Sequence, residues 1–146
     1  MSADFEPLRL ALRAILRTAT GYPGDDKVQW ENRPFDPATA AGGLWLRENL
    51  VTGSERKTST GFQECLGLYY IFVSGPAGRG TEPVVALAKA IADVFPPTTH
   101  LSGLRTHLYR TERQAARSEG QGQSGTTDPI WYCVPVIVYW RLFAVA

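Results

Sequence analysis

The run Cys65-Leu66-Gly67-Leu68-Tyr69-Tyr70-Ile71-Phe72-Val73 is apolar at odd and even positions alike. Side chains of a strand alternate between its two faces, so a strand of this composition is one covered on both sides. The segment behind it supplies one cover only. In Thr81–Phe95 the residues Val84, Leu87, Ala88, Ile91 and Phe95 fall on a single helical face. Thr81 is placed to cap the free N–H groups of that helix, and Pro83 costs nothing in its first turn. Phe95-Pro96-Pro97 ends it. The second face of the strand therefore needs a further partner, and another copy of the chain is the first candidate.

Upstream, Asp4 is placed to cap a first helix, with Glu6 and Pro7 in its first turn. Phe5, Leu8, Leu12, Ile15, Leu16 and Ala19 form its apolar stripe. Arg9, Arg13 and Arg17 recur every four residues on another face, as a solvated flank or as a basic contact ridge. Thr20–Asp26 is a stop, and Lys27–Asn32 has the makings of a short strand. Arg33-Pro34-Phe35-Asp36-Pro37 forces extended and turning backbone. Gly43–Val51 reads as a strand with Leu44, Leu46 and Leu50 facing one way and Trp45, Arg47 and Asn49 the other. Thr52–Thr60 carries no apolar residue and is expected to be a flexible hairpin connection.

Downstream, Leu104–Arg113 alternates weakly, as an edge or half-wet strand does. Gln114–Asp128 has no large apolar residue, so no core forms from it and a flexible loop is expected. Ile130–Ala146 returns to dense β-formers. Fully extended at ~3.3 Å per residue it would reach ~50 Å, against ~17–20 Å for an ordinary strand. It is expected to bend, or to overhang its sheet, with Pro135 at an edge or bulge. Residues 1–146 make one domain on this reading, with flexible loops near 52–60 and 114–128.

The chain is 44% hydrophobic and 20% charged, an ordinary globular balance, and its net charge of +1 gives no global pull on nucleic acid. Met1-Ser2-Ala3-Asp4 is acidic and lacks the pattern of a secretory signal, and no apolar run is long enough for a membrane helix. Cys65 and Cys133 sit within apolar runs and read as buried small hydrophobes. Gly75-Pro76-Ala77-Gly78-Arg79-Gly80-Thr81 suggests a phosphate loop, but no Lys-Ser/Thr pair follows its last glycine and Glu82 would repel an anion. His100 and His107 have no cysteine or carboxylate at ligand spacing, and no nucleophile signature is present. An enzyme is not expected. Arg56 and Lys57, and Arg110, Arg113 and Arg117, are solvated loop charge or contacts to an acidic protein surface or passing DNA.

Trp30-Glu31-Asn32-Arg33-Pro34-Phe35-Asp36-Pro37 followed by Trp45-Leu46-Arg47 resembles the opening of small tail terminator proteins of long-tailed bacteriophages. Gly75-Pro76-Ala77-Gly78-Arg79-Gly80, Ala92-Asp93-Val94-Phe95 and Trp131-Tyr132-Cys133-Val134-Pro135-Val136 agree in order and spacing, so the resemblance runs from about Leu8 to Tyr139. It implies an α+β fold: a mixed, mostly antiparallel sheet of about four to five strands with two main helices packed on one face. It further implies a homo-hexameric ring that stops tail-tube polymerisation at the head-proximal end and offers a docking surface to the head–tail connector. DNA would pass through without sequence-specific binding. The resemblance carries no catalytic residue, cofactor, metal or membrane partner, and places the protein in the host cytoplasm during assembly and then in the virion. Candidate contact residues are Arg9, Arg13, Arg17, Trp45, Arg47, Arg56, Lys57, Arg110, Arg113, Arg117 and Trp140. The alternatives are another neck or head-completion protein, or a small ligand-binding domain or enzyme using the 75–81 glycine turn.

Overall fold

A computed structural model describes residues 5–35, 43–57, 62–76, 80–101, 106–119 and 131–145; for 54–57, 62–63, 118–119 and 144–145 it describes the backbone alone. In chain order the elements are α1 (Glu6–Leu16), β1 (Val28–Gln29), β2 (Trp45–Lys57), β3 (Phe62–Pro76), α2 (Glu82–Asp93), β4 (His100–Leu101), β5 (Thr106–Arg113), β6 (Arg117–Glu119) and β7 (Trp131–Val145). They form one mixed sheet in the order β1-β2-β3-β7-β5-β4, with β6 also on β7. β1 runs parallel to β2 and every other pairing is antiparallel.

The class is α+β, but the sheet has seven strands rather than four to five. The additional ones are β4 and β6, of two and three residues, too short to leave a period in the sequence. Within 27–32 only Val28–Gln29 is strand, because Asp25–Lys27 closes a 3-10 turn and Asn32 turns away at φ +60°. β2 extends beyond Val51: the polar segment Thr52–Lys57, expected as loop, pairs with β3 across a bulge between Thr52 and Glu55. Backbone hydrogen bonds to a neighbouring strand hold a polar strand at a sheet edge. Arg117–Glu119 likewise leaves the expected 114–128 loop to pair with Cys133–Trp131. Residues 58–60 and 120–128 lie outside the described residues.

β7 neither overhangs nor runs unpaired. It matches β3 residue for residue, from Phe62 opposite Val145 to Pro76 opposite Trp131. Pro135 stands inside this strand, where β5 (ending opposite Val136) gives way to β6 (starting opposite Cys133). A missing N–H is tolerated at such a junction, and the Gln114 N–H still reaches the Pro135 carbonyl at 2.9 Å.

Alternation then sorts the side chains. Leu46, Glu48 and Leu50 of β2 register with Val73, Ile71 and Tyr69 of β3, and these with Val134, Val136 and Val138 of β7. All nine are buried. Both helices pack on this face: Leu8, Leu12 and Leu16 from α1, and Val84, Leu87, Ala88 and Ile91 from α2. Phe5 meets Trp140 at 5.7 Å and Phe95 meets Tyr69 at 6.1 Å between ring centroids. Thr81 makes no side-chain cap at α2, correcting that expectation, since its helical backbone angles carry it into the turn; Asp4 lies outside the described residues. Gly67 faces Trp140 across the ladder, and a Cβ there would collide with the indole and with the Val51 carbonyl. Cys65 and Cys133 are buried, and no disulfide joins them.

Candidate protein-interaction surface

Arg9 and Arg13 of α1 turn inward, while Arg17, just past the end of the helix, stays exposed. Glu48 lies on the helix-covered face with its side chain fully buried. Arg13 donates to its Oε1 from Nε at 2.8 Å and also from Nη2, Tyr69 donates its hydroxyl to Oε2, and the Glu31 N–H approaches Oε1 at 3.4 Å. A buried carboxylate needs this number of partners. Burial, then the charge of Glu48, pushes the Tyr69 phenol well above its ordinary pKa, so it stays protonated as a donor.

Arg9 reaches Glu31 at 2.6 Å and Glu6 at 3.1 Å. Burial opposes its charge, but Glu31 and Glu6 together raise its pKa. The other oxygen of Glu31 accepts the Leu50 N–H at 2.8 Å, standing in for a strand partner just past the end of β1. Arg17 bonds Asp25 at 3.0 Å, and with Arg13 it flanks the Trp30 ring. The Tyr22 hydroxyl, and then Arg17, hold the Asp25 carboxyl below its usual range. Arg9, Arg13 and Arg17 therefore fasten α1 to β2 and to the 22–31 turn. Arg9 and Arg13 are thus occupied within the subunit, whereas Arg17 keeps the exposure of a solvated flank.

The opposite sheet face has no helix or strand layer over it among the described residues. Its centre is Leu66, Leu68, Tyr70 and Phe72, all half-buried. Beside them, in register, stand Arg47, Asn49 and Val51 of β2 and Pro135, Ile137, Tyr139 and Arg141 of β7. Arg110 and Glu112 of β5, and Arg117 of β6, complete the row. Tyr70 and Phe72 stack nearly parallel at 5.7 Å. At one end Trp45, only 6% exposed, is wedged between Phe35 and Trp131.

Of the residues singled out in the sequence, the fold thus brings Arg47, Arg110 and Arg117 together on one face, with Trp45 sunk at its end. Arg113 is exposed at the end of β5 on the other parity. The side chains of Arg56 and Lys57 lie outside the described residues. Trp140 is fully buried under Phe5, on the even parity that faces the helices, and offers nothing to a partner. Arg141 was missed, although it stands two residues past Tyr139 and so shares its face. Glu48 and Tyr69 had no local signal.

The chemistry set aside on sequence grounds gains nothing from the fold. Among the described residues no three His, Cys, Asp or Glu gather for a metal. His100 and His107 are cross-strand neighbours, their rings 5.5 Å apart, and burial followed by Arg141 and His100 lowers the His107 pKa. A cleft of ≈ 340 Å³ opens between residues 29–32 and β2. Its carboxylates, Glu31 and Glu48, are those already committed to Arg9 and Arg13. Residues 77–79 of the glycine turn lie outside the described residues.

The fold and this surface define an α+β subunit with helices on one sheet face and an arginine–aromatic surface on the other. Residues 7–140 match the family model of the phage tail terminator protein, and the chain belongs to that family. It is a structural protein of phage or phage-like tails. Two solved structures share the fold at 18% identity. One, whose title states no function, covers 97% of this chain and 96% of its own with a TM-score of 0.66. The other, titled as the virion of a native gene transfer agent particle, covers 95% of each chain with a TM-score of 0.53. No curated protein sequence matches the chain.

Proposed function

We propose that this chain is the terminator of a phage or phage-like tail. Copies close into a hexameric ring at the head-proximal end of the tail tube, stop its polymerisation, and present a docking surface to the head–tail connector. DNA passes through the ring without sequence-specific contact. The protein acts by binding geometry, with no cofactor and no covalent step, in the host cytoplasm during assembly and afterwards in the virion.

The observation that carries this reading is the match to the terminator family over nearly the whole chain. An uncovered sheet face supports it, since apolar side chains at that position gain burial only in an assembly. The test is tube assembly in the presence of the purified chain, with lengths measured by electron microscopy and subunit number by light scattering. Tubes of bounded length carrying a six-copy cap at one end are expected. Tubes of unregulated length beside a chain that never binds their ends would contradict it. Binding to connector rings alone would make the chain another neck protein.

A further inference from the structure

All four arginines placed on the open sheet face lie over aromatic rings of that same face. The guanidinium carbon of Arg47 is 4.3 Å from the Phe72 centroid, and that of Arg117 is 5.6 Å from the same ring. Arg110 lies 5.0 Å from Tyr139, and Arg141 5.4 Å from Tyr109. Such stacking holds a planar guanidinium in place while its N–H edge still points outward. The carboxylates described on this face are Glu64 and Glu112, which pair with Arg141 and Arg110. Among the described side chains of this face, arginines outnumber carboxylates four to two. No lysine is among its described side chains. Arginine with tyrosine and phenylalanine, and without lysine, is the composition of protein-interface anchors rather than of solvated charge.

The geometry also separates the occupants. Single-stranded nucleic acid needs open ring faces for its bases, whereas Phe72 is already flanked by Arg47, Arg117 and Tyr70. A DNA duplex would match the charge but would leave the apolar centre against a hydrated phosphate backbone. A second copy offering the same face would bring like charges together. A second copy offering its helical layer would bring mostly carboxylates held by its own cations, Glu6 by Arg9, Asp25 by Arg17 and Asp93 by Lys89, with Glu82 of α2 the exposed exception.

We infer that the open sheet face docks a protein of a different kind from this chain, one whose contact surface is apolar at its centre and rimmed by Asp and Glu. Arg47 and Arg117, steadied by Phe72, are its anchors. The inference rests on the terminator reading, which supplies the partners to be tried, the tail tube and the head–tail connector. Ring closure between copies then uses other surfaces.

The test compares wild type with the double variant Arg47→Gln/Arg117→Gln, each co-sedimented with tail tubes and, separately, with connector rings of the same particle. Binding is measured at low salt and at about 0.5 M salt. The expected result is salt-weakened binding of wild type to one of these partners, and a loss of about tenfold or more in the variant. Its melting temperature and oligomeric state should be unchanged. Arg47→Lys/Arg117→Lys keeps the charge but not the flat stacked fork, so a partial loss is expected. A glutamine variant that binds both partners as wild type does would overturn the inference. So would arginine-dependent binding of a short DNA duplex, or a changed oligomeric state, which would assign the face to nucleic acid or to a second copy. Wild type binding neither tubes nor connector would remove the terminator reading, and the inference with it.

Discussion

Tyr69 and Tyr70 are neighbours in the chain and opposites in the fold. Tyr69 is fully buried, its hydroxyl on Glu48 and its ring edge-on to Phe95. Tyr70 is half-buried and stacks on Phe72, in a row of guanidinium groups. One strand thus spends its odd side chains on the subunit's own core and its even ones on a surface with the make-up of an interface. Apolar residues alone do not distinguish a core from a contact face. What sits opposite does: a helix layer and a buried Glu48 carboxylate answered by Arg13 and Tyr69 on one side, stacked arginines on the other.

That contrast predicts stability effects on the odd side and mainly binding effects on the even side. The largest should come from Arg13→Ala, which strands the buried Glu48 carboxylate and should cost about 3–5 kcal/mol in chemical denaturation. Gly67→Ala should follow at about 1–3 kcal/mol, because the added methyl group meets the Trp140 indole and the Val51 carbonyl. A smaller residue at 140 should recover part of that loss if the indole is the obstacle. Leu68→Ser, on the open face, should change stability by no more than about 0.5–1 kcal/mol, as surface replacements do. A cost as large as that of Arg13→Ala would erase the distinction between the faces.

The smallest effect is one of pH. His107 has a folded pKa below its ordinary 6.5, so below that pH the unfolded chain binds more protons than the folded one. Its contribution is fully present above pH 6.5 and is lost as pH falls through the lowered folded value. His107→Gln should flatten the stability–pH slope on the acidic side. A slope unchanged by the substitution would assign the acid sensitivity elsewhere, with Asp25 the next candidate because its pKa is also lowered.

Much of this was legible in the chain itself. The doubly apolar 65–73 run announced a strand with two faces to cover, and the Leu46/Leu50 and Trp45/Arg47 alternation sorted β2 correctly. Both helical stripes were visible because their period is local. What escaped was set by partners distant in sequence. Thr52–Lys57 looks like loop until β3 supplies its ladder, and Arg13 looks like surface until Glu48, 35 residues on, arrives beneath it. Trp140 resembled a contact residue because nothing near it tells which parity of β7 faces the helices. The space left by Gly67 on the neighbouring strand decides that.

The division between the faces can be tested most directly by hydroxyl-radical footprinting of the aromatic side chains, in the free protein and in assembled tails. Tyr70, Phe72, Tyr109 and Tyr139 should react in the free subunit and become protected in the particle, while Tyr69 stays protected in both. Equal labelling of Tyr70 and Phe72 in the two states would mean that no partner ever covers this face, contrary to the account.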